Sequence, residues 1–374
     1  MPAVRVNLIP TSLQFPLSQD TYDWVTQCWH LYAKPDRTGD PTDNWVELRP
    51  GGFDGLNPSL FLNKFCPDAQ ALRALKSNNA RYAFLNGWAG MASGHPAAHA
   101  AALVARRDEV LNDLRQDQQT HSRSLTGAVV WRMIVGMGNP NPLETSLTLH
   151  KQYGIPLVPG SAVKGLTRNG RLLNIGAQIG VYPLSPEDYA GRRGRREPTP
   201  LEMLEGFLLS GEELERSNLL LKLRADKAVL EAIASASSPS PVTDAETELL
   251  LKEYAESFRC AFGTTLVKGK VVFLDALPLP GWTYEVDVMT PHYGEYYSDK
   301  QNKTPPADWL DPNPVTFLTI GKNSRFRFDV TGKDDALLGE VVGWVENALS
   351  ELGIGGKTNA GFGEVIEVNK DGVI

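Results

Sequence analysis

The sequence predicts an α+β protein: a ferredoxin-like βαββαβ core with a mainly helical extension ahead of it and a helical insertion within it. Three observations predict this. From residue 127 onward, runs rich in β-branched and aromatic residues alternate with runs at helical spacing in the order β, α, β, β, β, α, β once insertions are set aside. That order contains the βαββαβ frame with one additional strand. Ahead of it, residues 1–125 consist mainly of helix formers and turn clusters. The composition, 42% hydrophobic and 22% charged over 374 residues, is that of a globular chain with a packed core. The expected division is an extension over 1–125 packed on a domain over 126–374, with insertions at about 181–260 and 294–314.

In chain order, loops marked by "KPDRTGDPTDN" and "RPGGFDGLNPS" precede a short helix over "DAQALRALKS". A longer helix covers "AAHAAALVARRDEVLNDLRQDQQ", with Leu103, Val110, Leu111 and Leu114 near helical spacing. "GAVVWRMIVGMGNPNPLET" reads as a strand running into a Gly/Pro/Asn loop. Next comes "IPLVPGSAVKGLTR", in which Pro159-Gly160 makes a turn and Ser161 is the expected N-cap of a helix to about Leu173. Acidic helices occupy about 200–259, interrupted by "ASASSPSPVTDAE". Strands return at "KVVFLDALPL" and "YEVDVMTPHY". "VTFLTIGKNSRFRFDVTG" reads as a hairpin turning at "GKNS", and a helix, a glycine-rich loop and the strand "GFGEVIEV" close the chain.

Composition narrows the function. No apolar run approaches the roughly 20 residues of a membrane span, and the N-terminus lacks the pattern of a secretory signal, so a cytoplasmic protein with no membrane partner is expected. Cys28, Cys66 and Cys260 lack CxxC spacing, which argues against a disulfide framework or structural zinc. With 44 acidic and 37 basic residues the net charge is −7, so contact with nucleic acid has to come from local basic patches.

Four stretches could carry chemistry. Lys164, Arg168 and Arg171 stand at i, i+4 and i+7 behind the helix start, either a rail facing phosphate or a solvated face. "GIGGKTNAGFGEV" lacks the first glycine of a Walker A loop, Glu351 standing there, and it follows a helix instead of preceding one; nucleotide hydrolysis is rejected. Its Gly355, Gly356, Gly361 and Gly363 let backbone approach a ligand closely, with Lys357, Thr358 and Asn359 as further donors, while Gly353 reads as a helix C-cap. "VDVMTPHYGEYY" offers Asp287, a single histidine at His292, and Tyr293 for stacking, but no metal-ligand spacing; "HPAAH" lacks the glutamate of HExxH. Arg192, Arg193, Arg195 and Arg196 in "GRRGRR" could neutralise phosphates without sequence preference, or simply solubilise a loop.

These residues carry a resemblance to the RAMP superfamily of CRISPR effector proteins. "IPLVPGSAVKGLTR" is similar to that family's "IPGSSLKGxLR" motif, and "GIGGKTNAGFGEV" resembles its C-terminal glycine-rich loop. "NPSLFLNKF", "DVMTPHYGEYY" and "PPADWLDPNPVTFLTI" resemble features of one lineage, subunit six of the Cmr series in type III-B complexes. The resemblance implies a non-catalytic structural subunit without a cofactor or metal. It would bind guide RNA toward its 3′ end, near target RNA, beside the repeating backbone subunit and small helical subunits. It also favours the phosphate-facing reading of Lys164, Arg168 and the glycine-rich loop. The alternative it leaves open is a RAMP endoribonuclease that cuts precursor guide RNA with His292 and Asp287 or another acid.

Overall fold

The computed structural model describes residues 29–33, 46–50, 57–63, 78–94, 97–141, 143, 145–183, 198–210, 244–291 and 313–367. Its N-terminal part contains strands as well as helices. β1 (Trp29–Ala33) and β2 (Val46–Pro50) pair antiparallel, with Trp29 opposite Pro50. Each is only five residues long and borders the turn clusters that dominate a sequence reading, although "VELRP" does alternate apolar with polar. Helices α1 (Pro58–Asn63), α2 (Asn78–Ala92) and α3 (Ala97–Gln118) follow. The helix expected over "DAQALRALKS" lies outside the described residues.

The central strand β3 (His121–Val129) starts six residues before the expected position. Its first half, "HSRSLT", has little apolar content because one face meets a polar network. In that network Asp329, whose side chain is 1% exposed, accepts from the Ser124 hydroxyl at 2.6 Å and from Arg327 at 2.7 Å. Arg107 of α3 lies 3.3 Å from the same carboxylate, and Arg327 reaches Asp108 of α3 at 2.6 Å. A carboxylate this deeply buried requires such partners. α3 thereby covers one face of the sheet.

Four further strands complete that sheet: β4 (Val272–Phe273), β5 (Leu277–Pro278), β8 (Arg325–Gly332) and β9 (Val365–Glu367). The order is β4-β8-β3-β9, with β5 also on β8, and every pairing is antiparallel. On β8, Phe326, Phe328 and Val330 alternate with Arg327, Asp329 and Thr331, so one face is apolar and the other polar. The apolar face lies under α7 (Asp335–Glu351), which buries Leu338, Val341, Val345 and Leu349 and is capped by the Asp334 carboxylate, the acceptor for Leu337 N–H. α4 (Gly160–Gln178) lies beside α7; a Cβ on its Gly170 would come within 2.8 Å of the Ala348 methyl.

Two strand expectations are corrected. "KVVFLDALPL" forms β4 and β5 separately: Leu274 N–H still donates to the Asp329 carbonyl of β8 at 3.0 Å, but Asp275 meets the start of α4 and Ala276 bridges to Val158 instead of pairing with β8. "GKNS" does not close a hairpin. β7 (Val315–Ile320) pairs with β6 (Tyr284–Met289) in a separate ribbon, while β8 joins β3. The apolar run of β7 is accounted for by burial among other elements: α2 packs on the ribbon, with Trp88 4.9 Å from Tyr284, and Met133 bridges to Ile320.

Between α4 and β4 lie α5 (Pro200–Ser210) and α6 (Asp244–Phe262). A capping box opens α5: Thr199 N–H donates to the Glu202 carboxylate at 2.9 Å, and Glu202 N–H donates to the Thr199 hydroxyl at 3.2 Å. Leu204, Leu208, Phe258 and Phe262 join the same hydrophobic core as the sheet. Among the described residues no helix is long and apolar enough to cross a membrane.

Candidate nucleic-acid interface

α4 starts one residue before the expected cap. Pro159 is its flanking residue and Ser161 makes no side-chain capping bond, so the N-cap role expected of Ser161 is corrected. A distant carboxylate supplies the acceptor: Gly160 N–H donates to Asp275 between β4 and β5 at 2.7 Å. A Cβ at Gly160 would lie 2.3 Å from the Phe273 carbonyl, so glycine lets the helix sit directly on that strand.

The three cations of α4 do not form an open rail. Arg168 pairs with Glu205 of α5 at 2.7 Å. Arg171 is held between the rings of Trp344 (4.5 Å) and Tyr254 (4.9 Å), with its pKa lowered by burial against the opposing influence of Tyr254 and Glu340. Lys164 is half-buried. α5, α6 and α7 occupy the face that spacing alone leaves free. The face open to solvent carries Ser161, Gly165 and Asn169, at i, i+4 and i+8.

That open stripe faces the glycine-rich loop. Ala162, Gly165, Leu166 and Asn169 of α4 form one wall of a cleft of about 630 Å³, and Gly353, Ile354, Gly355, Thr358 and Asn359 form the other, with Glu351 and Leu352 between them. Motifs far apart in the sequence are thus brought together. Gly355 has φ +101° and Gly363 φ +78°; added Cβ atoms would lie 2.1 Å from the Ile134 carbonyl and 2.0 Å from the Ile354 carbonyl. Both glycines are therefore needed to seat the loop on the core. Gly361, at φ +81°, faces open space.

Hydrogen bonds fix the loop's shape: Gly356 N–H to Ile134 at 2.8 Å, Gly363 N–H to Arg132 at 2.6 Å and Ile354 N–H to Gly363 at 2.8 Å. Lys357 adopts a left-handed conformation at φ +61° and turns inward, its Nζ 3.8 Å from Met289 Sδ and 5.4 Å from the Phe317 ring centre. Thr358 and Asn359 begin a 3₁₀ turn (Thr358–Ala360). Among the described residues, the amides of Lys357, Thr358 and Asn359 have no backbone acceptor.

Asp287 is engaged by Arg132 at 2.7 Å, and Arg132 also binds Glu285 at 2.7 Å. His292, Tyr293, Arg192, Arg193, Arg195 and Arg196 lie outside the described residues. No group of three His, Cys, Asp or Glu that could hold a metal occurs among the described residues. His99 of "HPAAH" is exposed and packs edge-on against Tyr153. Gly165, Asn169 and Asp275 escape a reading of the sequence. The first two were detectable as a small polar stripe continuing from Ser161, whereas nothing local marks Asp275 as a cap.

The sequence signature of the RAMP superfamily matches residues 128–366, and the chain belongs to that superfamily. Within it, the chain is similar to the CRISPR system Cmr subunit Cmr6 of Pyrococcus furiosus, 32% identical over 242 residues, or 63% of this chain and 65% of the relative. The alignment thus spans just under two thirds of that relative's length. Among solved structures, the crystal structure of Cmr6 from Pyrococcus furiosus is 29% identical at a TM-score of 0.38, covering 67% of this chain and all but 1% of that one, a coverage of 99%. A cryo-EM structure of the type III-B Cmr-beta bound to cognate target RNA is 16% identical at a TM-score of 0.46, covering 79% of this chain and 74% of that one. At these TM-scores neither superposition transfers residue roles.

Proposed function

We propose that this protein is a non-catalytic, RNA-binding structural subunit of a type III-B CRISPR RNA-targeting complex, holding the guide RNA toward its 3′ end. The observation that carries the reading is the cleft in which the open stripe of α4 faces the glycine-rich loop. Its backbone is fixed beforehand by glycine contacts, and three loop amides without backbone acceptors stand beside it. Such a surface grips a nucleic-acid backbone without reading sequence. The family and the similarity to a Cmr subunit support the same reading, and the sheet order β4-β8-β3-β9 with α4 and α7 on one face fits a ferredoxin-like core.

The RNA contacts proposed are Ser161, Lys164, Gly355, Gly356, Thr358, Asn359 and Gly361, with the additions Gly165 and Asn169. Arg168 and Arg171 serve the insertion interface, and Gly363 and Lys357 shape the loop. Guide and target RNA and neighbouring RAMP and small helical subunits are the proposed partners, and the cytoplasm the proposed location. The engagement of Asp287 by Arg132 argues against the form of the nuclease alternative that uses Asp287 as its acid.

Gly165 provides the test. Nothing lies within 4 Å of a Cβ added there, so Gly165→Phe can project into the cleft without disturbing the core. The variant is expected to melt at or above the wild-type temperature, since glycine is a poor helix former, and to lose affinity for single-stranded RNA. Unchanged RNA affinity in the folded variant refutes the cleft as the interface.

A further inference from the structure

We infer that the cleft between α4 and the glycine-rich loop takes the ribose edge of an RNA strand, with Glu351 as acceptor for a sugar 2′-hydroxyl, and that phosphates lie outside it. This rests on the RNA-binding reading above and specifies which part of the nucleotide enters. The electrostatics of the cleft decide it. Among the described residues lining it there is no Lys, Arg or His, and Glu351 stands in its wall. Three nearby cations point elsewhere, Lys357 toward Met289 and Phe317, Arg168 toward Glu205, and Arg171 between Tyr254 and Trp344, and the half-buried Lys164 is not among the lining residues.

Glu351 is exposed and is the last residue of α7, where the helix dipole adds roughly half a negative charge. The carbonyls of Leu349, Ser350 and Glu351 accept no backbone hydrogen bond from a described residue beyond the helix end. A phosphate entering here would meet a carboxylate and helix carbonyls without a counter-charge. A neutral donor would instead find acceptors. Ribose hydroxyls and base amines are both donors, but bases are held by stacking on aromatic rings, and no aromatic residue lines the cleft. The sugar is the part that fits. The side chains of Asn169, Asn359 and Thr358 both donate and accept, so they can satisfy the remaining valences of a hydroxyl. Phosphates on either side can then use the amides of Lys357, Thr358 and Asn359. A site built on the 2′-hydroxyl distinguishes RNA from DNA, which phosphate contacts alone do not.

The test measures binding of the full chain to a uridine homopolymer and to its 2′-deoxy and 2′-O-methyl counterparts of equal length, by fluorescence anisotropy at matched salt. The ribo form should bind about tenfold more tightly than the deoxy form, because a hydrogen bond donated to a charged carboxylate is worth about that factor. Methylation removes the donor hydrogen and should weaken binding likewise. Glu351→Ala should collapse the gap by weakening ribo binding alone, and Glu351→Gln, which keeps an acceptor oxygen, should retain part of it. Thermal melts should match wild type for both. Equal affinity of the wild type for ribo and deoxy polymers overturns the inference, as does a gap that survives Glu351→Ala or equal tightening of both polymers in that variant. Binding of neither polymer overturns the RNA-binding reading itself.

Discussion

Replacing Arg171 separates a structural role from a phosphate contact. Its guanidinium lies 4.5 Å from the Trp344 ring centre and 4.9 Å from that of Tyr254, joining α4 to α7 and α6. Cation–π contacts at half-buried sites contribute about 0.5–2 kcal/mol each, so removing both should destabilise the fold by roughly 1–4 kcal/mol, or about 1–5 °C in melting temperature. Burial already penalises the charge, as the lowered pKa indicates. Arg171→Met, which keeps the apolar stem between the rings, should therefore be milder than Arg171→Ala. Melting followed by circular dichroism reads the stability. A salt titration of RNA binding reads the electrostatics, and its slope should not change in Arg171→Met, since no phosphate contact is lost. A slope reduced by about one unit with the melting temperature unchanged would refute the structural assignment and restore Arg171 to the RNA face.

Three further outcomes are expected. Gly355→Ala, forcing a Cβ within 2.1 Å of the Ile134 carbonyl, should unseat the loop and lower the melting temperature. Gly361→Ala meets open space and should cost only about 1 kcal/mol, from its positive φ; equal losses for the two, measured by thermal melting and limited proteolysis, would contradict the loop geometry. Asp275→Ala removes the acceptor for Gly160 N–H and should destabilise by about 1 kcal/mol in chemical denaturation, although the residue lies far along the chain from α4. The Glu346 carboxyl is held above its ordinary 4.5 by burial and by the neighbouring Glu367. Since the folded state holds this proton more tightly than the unfolded one, its contribution improves as pH falls from the raised folded value toward 4.5 and is unfavourable at neutral pH. Glu346→Gln should accordingly raise the melting temperature at neutral pH; a lower one would show that the carboxylate has a favourable partner.

The sequence by itself determined the elements with strong local signals. α3, α4 and α7 follow from helical spacing, and the loop after α7 from its glycines, because i, i+4 periodicity and positive φ are properties of a few neighbouring residues. The resemblance to the RAMP superfamily added the expectation that "PGSAVKG" and "GIGGKTNAGFG" face the same ligand, and the structure brings both segments to one cleft. The tertiary structure alone decided which face of α4 that site uses. Spacing puts Lys164, Arg168 and Arg171 on one side of the helix, but a charged side chain can equally meet solvent, a phosphate, a carboxylate or an aromatic ring. Only the packing of α5, α6 and α7 against α4 engages Arg168 with Glu205 of α5 and Arg171 with Tyr254 of α6 and Trp344 of α7. The same holds for the strands. β7 and β8 look like a hairpin because they adjoin a turn, yet each pairs with a strand distant in sequence. Pairing partners are chosen by burial of whole faces, as Phe326, Phe328 and Val330 under α7 show, and no short stretch of chain encodes that choice.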